Sequence, residues 1–236
     1  MGRALVKKIL LFIVYLLLSL VLVWTSRSLV PLIHLIISVV GMFLVLFFPY
    51  SLRNKVESFL LPLLFLAIPL ANTPAIVEYA LAGELMITSL LPFARLYTFA
   101  HLFFLIISLF LGLFLFGVNS SRIPLYSLVA FILAAFLALM IPTSPATAPH
   151  DPSLWIKGSL FFYITLVLVV LALAGFAVLF FRELSLNSLL GYLSLSFIVV
   201  GNYLYFVAFG KIGAVVGLSL YALGVVIRLP RGRFSQ

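Results

Sequence analysis

The chain contains no cysteine. Disulfides, thiolate metal centres and cysteine nucleophiles are therefore excluded. Charge is nearly as scarce. Of the 236 residues, 8% are Asp, Glu, Lys or Arg, against about 25% in a soluble domain. So few charges cannot clothe a water-facing surface. Acidic residues number five and histidines three, which leaves little material for paired carboxylates or a metal cluster. No HExxH motif and no nucleophile elbow is present.

What is abundant is apolar: 66% of the residues are hydrophobic. Cutting the chain where charges, prolines and polar clusters interrupt the apolar runs gives eight candidate spans. They are 9–25, 29–49, 57–71, 94–117, 124–142, 157–181, 187–208 and 212–228, each near the ~20 residues a helix needs to cross a bilayer. The expected fold is an all-α integral membrane protein, a polytopic bundle forming a single transmembrane domain over 1–236. MGRALVKK and the apolar run after it resemble a signal peptide. No small-x-small cleavage pattern follows Trp24, so this segment reads as an uncleaved first span.

The net charge is +9, but the charges sit singly or in small groups between apolar runs. They form no groove-binding patch, and no nucleic-acid partner is expected. Their placement orients the spans instead. With a cytoplasmic N-terminus, the inner side holds Arg3, Lys7, Lys8, Arg53, Lys55, Arg122, Arg182, Arg228, Arg231 and Arg233. The outer side holds Arg27, Arg95, Lys157 and Lys211. This excess agrees with the positive-inside rule and puts both termini in the cytoplasm, as in a prokaryotic cytoplasmic membrane. The basic tail then lies against the inner leaflet. Trp24 and Trp155 fall at the outer interface and Tyr50 at the inner one.

Two regions break the pattern. Span three carries Pro62 and Pro69, and Asn72-Thr73-Pro74 after it reads as a helix start with Thr73 as N-cap. The stretch 74–91 is then an interfacial or re-entrant helix. Glu78, Glu84, Thr88 and Ser89 share a face of about 140° at 3.6 residues per turn. The second region is 142–156, a proline-rich outer loop holding Ser144, His150 and Asp151. A base and an acid adjacent in such a loop are poorly held for hydrolysis, so catalysis is not expected. The sequon at Asn119 falls on the cytoplasmic side of this layout and is discounted.

Polar side chains inside spans are the candidate functional residues. His34, His101 and Asn202 all fall in the outer half, below Arg95, Glu78 and Glu84. Together these six form a candidate ligand-binding set. His34, Ser38 and Gly41 share one helix face, as do Tyr97 and His101. His34 and His101 alone are a candidate haem or metal pair. Gly213, Gly217 and Gly224 fall largely on one face of span eight, with Gly213 and Gly217 in small-xxx-small spacing for close helix packing.

Three functions compete on these residues. One is a transporter or permease binding a small solute in an outward-facing polar cavity among spans two, three, four and seven. Another is a non-catalytic subunit, sensor or scaffold that packs against a partner membrane subunit or a second copy. The third is a haem- or metal-binding membrane protein. Proton or sodium coupling is disfavoured, because no carboxylate lies firmly inside a span.

Overall fold

A long apolar run in lipid folds as a helix because only a helix satisfies every backbone N–H and C=O within its own segment. The protein's structure, a computed structural model, describes residues 2–26, 29–47, 55–79, 90–115, 122–143, 156, 159–183, 186–207 and 210–228. The helices among them are α1 (Gly2–Thr25), α2 (Leu29–Phe47), α3 (Lys55–Ala71), α4 (Pro74–Tyr79), α5 (Leu91–Leu115), α6 (Ile123–Met140), α7 (Leu160–Glu183), α8 (Leu186–Val207) and α9 (Gly210–Ile227). Thr143 and Ile156 form a lone antiparallel bridge at the base of the loop between α6 and α7.

Seven helical stretches among the described residues are long and apolar enough to cross a membrane, and the chain is accordingly an integral membrane protein. The apolar part of α9, Ile212–Ile227, is shorter. Each expected span coincides with a helix, but the ends shift. Helix α1 begins at Gly2, so Lys7 and Lys8 ride on helical turns. Helix α5 begins at Leu91, with Pro92 in the first turn, where a missing N–H costs no hydrogen bond. Pro124 holds the same place in α6. Ser and Thr inside the helices bond back to carbonyls of the preceding turn. Thr98 donates to Ala94, Ser108 to Phe104 and Thr165 to Phe161, each at 2.8 Å.

The interfacial helix expected over 74–91 is described only as the single short α4. Glu84, Thr88 and Ser89 lie outside the described residues, as do the side chain of Glu78, Tyr50, Trp155 and the loop residues Ser144, His150 and Asp151. Thr73 does not cap α4 as expected. Its hydroxyl turns back and donates to the Leu70 carbonyl at 2.9 Å, closing α3 instead. Trp24 is exposed, with its ring 5.3 Å from that of Tyr79.

Packing follows burial. Most residues of Val56–Val77 and of α5 are buried, against few of α1 and α6. Helices α3 and α5 are therefore central, while α1 and α6 lie at the periphery. Helices α2, α3, α5, α7, α8 and α9 each touch the next in that order, and α9 returns to α2. They form a closed ring, with α1 set against α2 and α6 against α5. The outer faces of α1, α6 and α7 carry exposed Leu17, Val21, Phe131, Phe136, Val167 and Leu171. That is the surface a hydrocarbon solvent requires.

The most extensive contact joins α8 and α9, and glycine permits it. A Cβ on Gly217 would stand 2.4 Å from the Tyr205 nitrogen, and one on Gly201 2.4 Å from the Tyr221 nitrogen. A Cβ on Gly224 would meet the Ile198 nitrogen at 2.8 Å. Ser194 adds a 2.7 Å hydrogen bond to the Gly224 carbonyl. The contact thus runs through Gly217 against Gly201 and, two turns on, through Gly224 against Ile198 and Ser194. This differs from the expected Gly213–Gly217 pair: Gly213, one turn earlier, is only half-buried. The helices cross where Gly201 meets Gly217, and that crossing decides which glycines are needed.

Candidate functional site

The ring has a polar interior at the end where α2, α5 and α7 begin and α3 and α8 finish. His34 enters from the second turn of α2 and is fully buried. Asn72 enters from the residue after α3, where the helix has just ended and its own backbone N–H bonds to Ile68 and Pro69. Asn202, Tyr205 and Phe206 descend from the last turns of α8.

The Asn72 amide fixes the chemistry of this cluster. Its Nδ2 lies 2.8 Å from the Ile68 carbonyl, which can only accept, so the amide orientation follows. The same Nδ2 lies 3.2 Å from His34 Nδ1. A donor there requires a lone pair on Nδ1, so the imidazole is neutral and carries its proton on Nε2. The Asn72 Oδ1 accepts from the Tyr205 hydroxyl at 3.3 Å. The Tyr205 ring lies 4.1 Å from the imidazole, and the Tyr221 ring meets it edge-on at 4.9 Å.

His34 Nε2 and Asn202 Oδ1 fall short of strict hydrogen-bonding geometry, but the two side chains are close enough to interact as hydrogen-bond partners. The first is a donor and the second an acceptor. His101, on α5, is also buried, with neither ring nitrogen partnered. Its neighbours are the rings of Tyr97 at 6.2 Å, Phe161 at 5.5 Å and Phe206 at 5.0 Å. Tyr97 also donates to the Phe206 carbonyl at 3.3 Å, holding α5 to the end of α8. Further along the ring, the hydroxyls of Tyr15, Ser19 and Tyr221 are buried without partners. Tyr15 faces Ser38 and Ser19, and Tyr221 lies within electrostatic reach of it.

The structure therefore joins His34 and Asn202 and sets His101 beside them. The Phe206 ring meets both imidazoles edge-on, 5.5 Å from His34 and 5.0 Å from His101. Phe206 thus packs against both imidazoles at once. Among the described residues no group of three His, Cys, Asp or Glu could hold a metal. Arg95 stands apart from the histidines. Its Nη1 donates to the carbonyls of Ala138, Leu139 at 3.0 Å and Ile141 at 2.7 Å, binding the C-terminal end of α6 to α5. Glu78 and Glu84 fall outside what the structure describes of side chains.

Asn72, Tyr205, Phe206 and Tyr221 were not expected at the site. Asn72 reads in sequence as a helix boundary, and the aromatics are lost among 24 Phe and 10 Tyr. Its matching depth to His34 is the one signal that could have found Asn72. A second surprise lies at the opposite end of the ring. Glu57, in the first turn of α3, is buried and ion-paired with Arg228 after α9. Arg228 also donates to the Gly191 carbonyl of α8 at 3.4 Å. From sequence, no carboxylate is expected firmly inside a span. Glu57 opens expected span three and does not lie deep within it, and its burial among the helices is tolerable because its charge is paired.

No family model, curated protein or solved structure matches the chain.

Proposed function

We propose that the chain is an eight-span membrane protein with both termini cytoplasmic, and that its helix ring binds and passes a small solute entering from the outer side. The eighth span is supported by the pairing of α9 with α8. The two run antiparallel from Gly217 beside Tyr205 to Arg228 beside Gly191. A helix fixed to a membrane-crossing neighbour over that length shares its depth. The orientation rests on the ten-to-four excess of Lys and Arg on the inner side.

The observation that carries the solute reading is a group of buried polar atoms at one end of the ring: His101 Nδ1 and Nε2 have no protein partner, and His34 Nε2 and Asn202 Oδ1 have only each other, short of good hydrogen-bonding geometry. Leaving such an atom unpaired costs about 1–3 kcal/mol. Several together weigh heavily against a total stability of about 5–15 kcal/mol. Cores that serve only packing avoid such groups. The helices that supply them, α2, α5 and α8, correspond to spans two, four and seven, and Asn72 at the end of span three orients His34. Glu78 and Glu84 remain the rim contacts of this proposal, and Arg95 holds α6 in place beside it. The Glu57–Arg228 pair closes the inner end, which favours entry from outside. With no free carboxylate at the site among the described side chains, transport is of the facilitated kind or is driven by a partner.

The partner-subunit reading draws no support from the glycines, because Gly217 and Gly224 are occupied within the chain. The test is permeability of liposomes containing the purified full chain. Solute-dependent swelling should exceed that of empty liposomes and fall in His101→Phe. Equal swelling with and without protein would refute the proposal.

A further inference from the structure

We infer that the solute is small and uncharged, and is held by paired hydrogen-bond donors and acceptors within an aromatic enclosure. This inference rests on the solute-site reading above. Every polar group described at the site is neutral. His34 is the Nε2–H tautomer, because Nδ1 accepts from Asn72. Asn72, Asn202, Tyr205 and Tyr221 carry no charge in ordinary conditions, and Thr98 and Ser38 are already bonded within their own helices.

The described charges nearest in the fold are engaged elsewhere. Arg95 binds the end of α6, and Glu57 with Arg228 forms a mutually neutralised pair at the other end of the ring. An ion entering would lose its water without gaining a counter-charge, and desolvation would not be repaid. A neutral solute with both a donor and an acceptor loses far less. His34 Nε2 offers a donor and Asn202 Oδ1 an acceptor on facing helices. A ligand N–H or O–H can meet the second while its oxygen meets the first. The rings of Tyr205 and Phe206 pack on His34, and those of Tyr97, Phe161 and Phe206 pack on His101. With rings packed this closely on both imidazoles, the solute of this reading has only a few heavy atoms, in the size range of urea, acetamide or glycerol.

The experiment uses the full chain in liposomes. Urea, acetamide and glycerol serve as neutral probes by osmotic reswelling. Potassium chloride and sodium glutamate serve as charged probes by conductance. At least one neutral probe should enter faster than in empty liposomes, with no conductance. His34→Phe and Asn202→Leu should each slow that entry about tenfold, the effect of one lost hydrogen bond. Both variants must elute as monodisperse protein, and one folded variant suffices for the comparison. A conductance that His34→Phe or Asn202→Leu abolishes would overturn the inference while leaving the site reading intact. So would one abolished by Glu84→Gln. No movement of any probe, or neutral flux indifferent to both variants, would overturn the site reading and the inference together.

Discussion

At the scale of single residues, two buried contacts hold distant helices to one another. Asn72 is bonded to Ile68, His34 and Tyr205 at once. Replacing it with Leu strands His34 Nδ1 and takes one partner from the Tyr205 hydroxyl. The stranded group should cost about 1–3 kcal/mol, seen as a lower midpoint in detergent unfolding. An unchanged midpoint would mean that the amide is not structural. The Glu57–Arg228 pair makes a sharper case. Glu57→Gln leaves the Arg228 charge buried and should cost about 3–5 kcal/mol. The double replacement Glu57→Met with Arg228→Met removes both charges and should restore most of the loss. Additive losses in the double variant would show that the two residues act independently. Neither contact was legible in the sequence. Glu57 and Arg228 stand 171 positions apart, and only the antiparallel return of α9 brings them together. His34, His101 and Asn202 were legible, because a polar side chain inside an apolar run stands out and is costly to keep there.

At the scale of elements, apolar runs bounded by charge set the helices, so their existence was readable and their ends less so. Proline misled at α5, where Pro92 lies within the first turn. The glycines of α9 were readable as a packing face but not in register. Which of them meets a backbone depends on where α8 crosses. Gly217→Ala should push α8 and α9 apart, because its new Cβ would meet the Tyr205 nitrogen at 2.4 Å. Overpacking of this kind costs about 1–3 kcal/mol, whereas Gly213→Ala should stay within about 0.5 kcal/mol. Unfolding titrations of the two variants side by side give the comparison, and equal losses would contradict the observed register. Arg95 belongs to this scale as well. Arg95→Gln should loosen α6, with a loss of about 1–2 kcal/mol for a partly buried helix-end cation, while solute flux through the ring stays as in the parent chain. A selective loss of flux at unchanged stability would return Arg95 to the binding site.

At the scale of the whole molecule, the scarcity of charge that marks the chain as a membrane protein also shapes its interior. A helix ring with so few charges builds its polar end from imidazole, amide and phenol groups. In the proposed layout that end lies on the side with fewer Lys and Arg, and the ion pair lies at the other end of the ring. The account's central claim is that the polar end opens outward. The natural absence of cysteine makes this directly measurable. A single cysteine at Asn202 in sealed, right-side-out vesicles should be alkylated by N-ethylmaleimide. Prior treatment with a membrane-impermeant thiol reagent outside should block that alkylation. A control cysteine at the lipid-facing Leu171 should react far more slowly. Protection only by reagent applied from the inner side, or reaction no faster than at Leu171, would contradict the account.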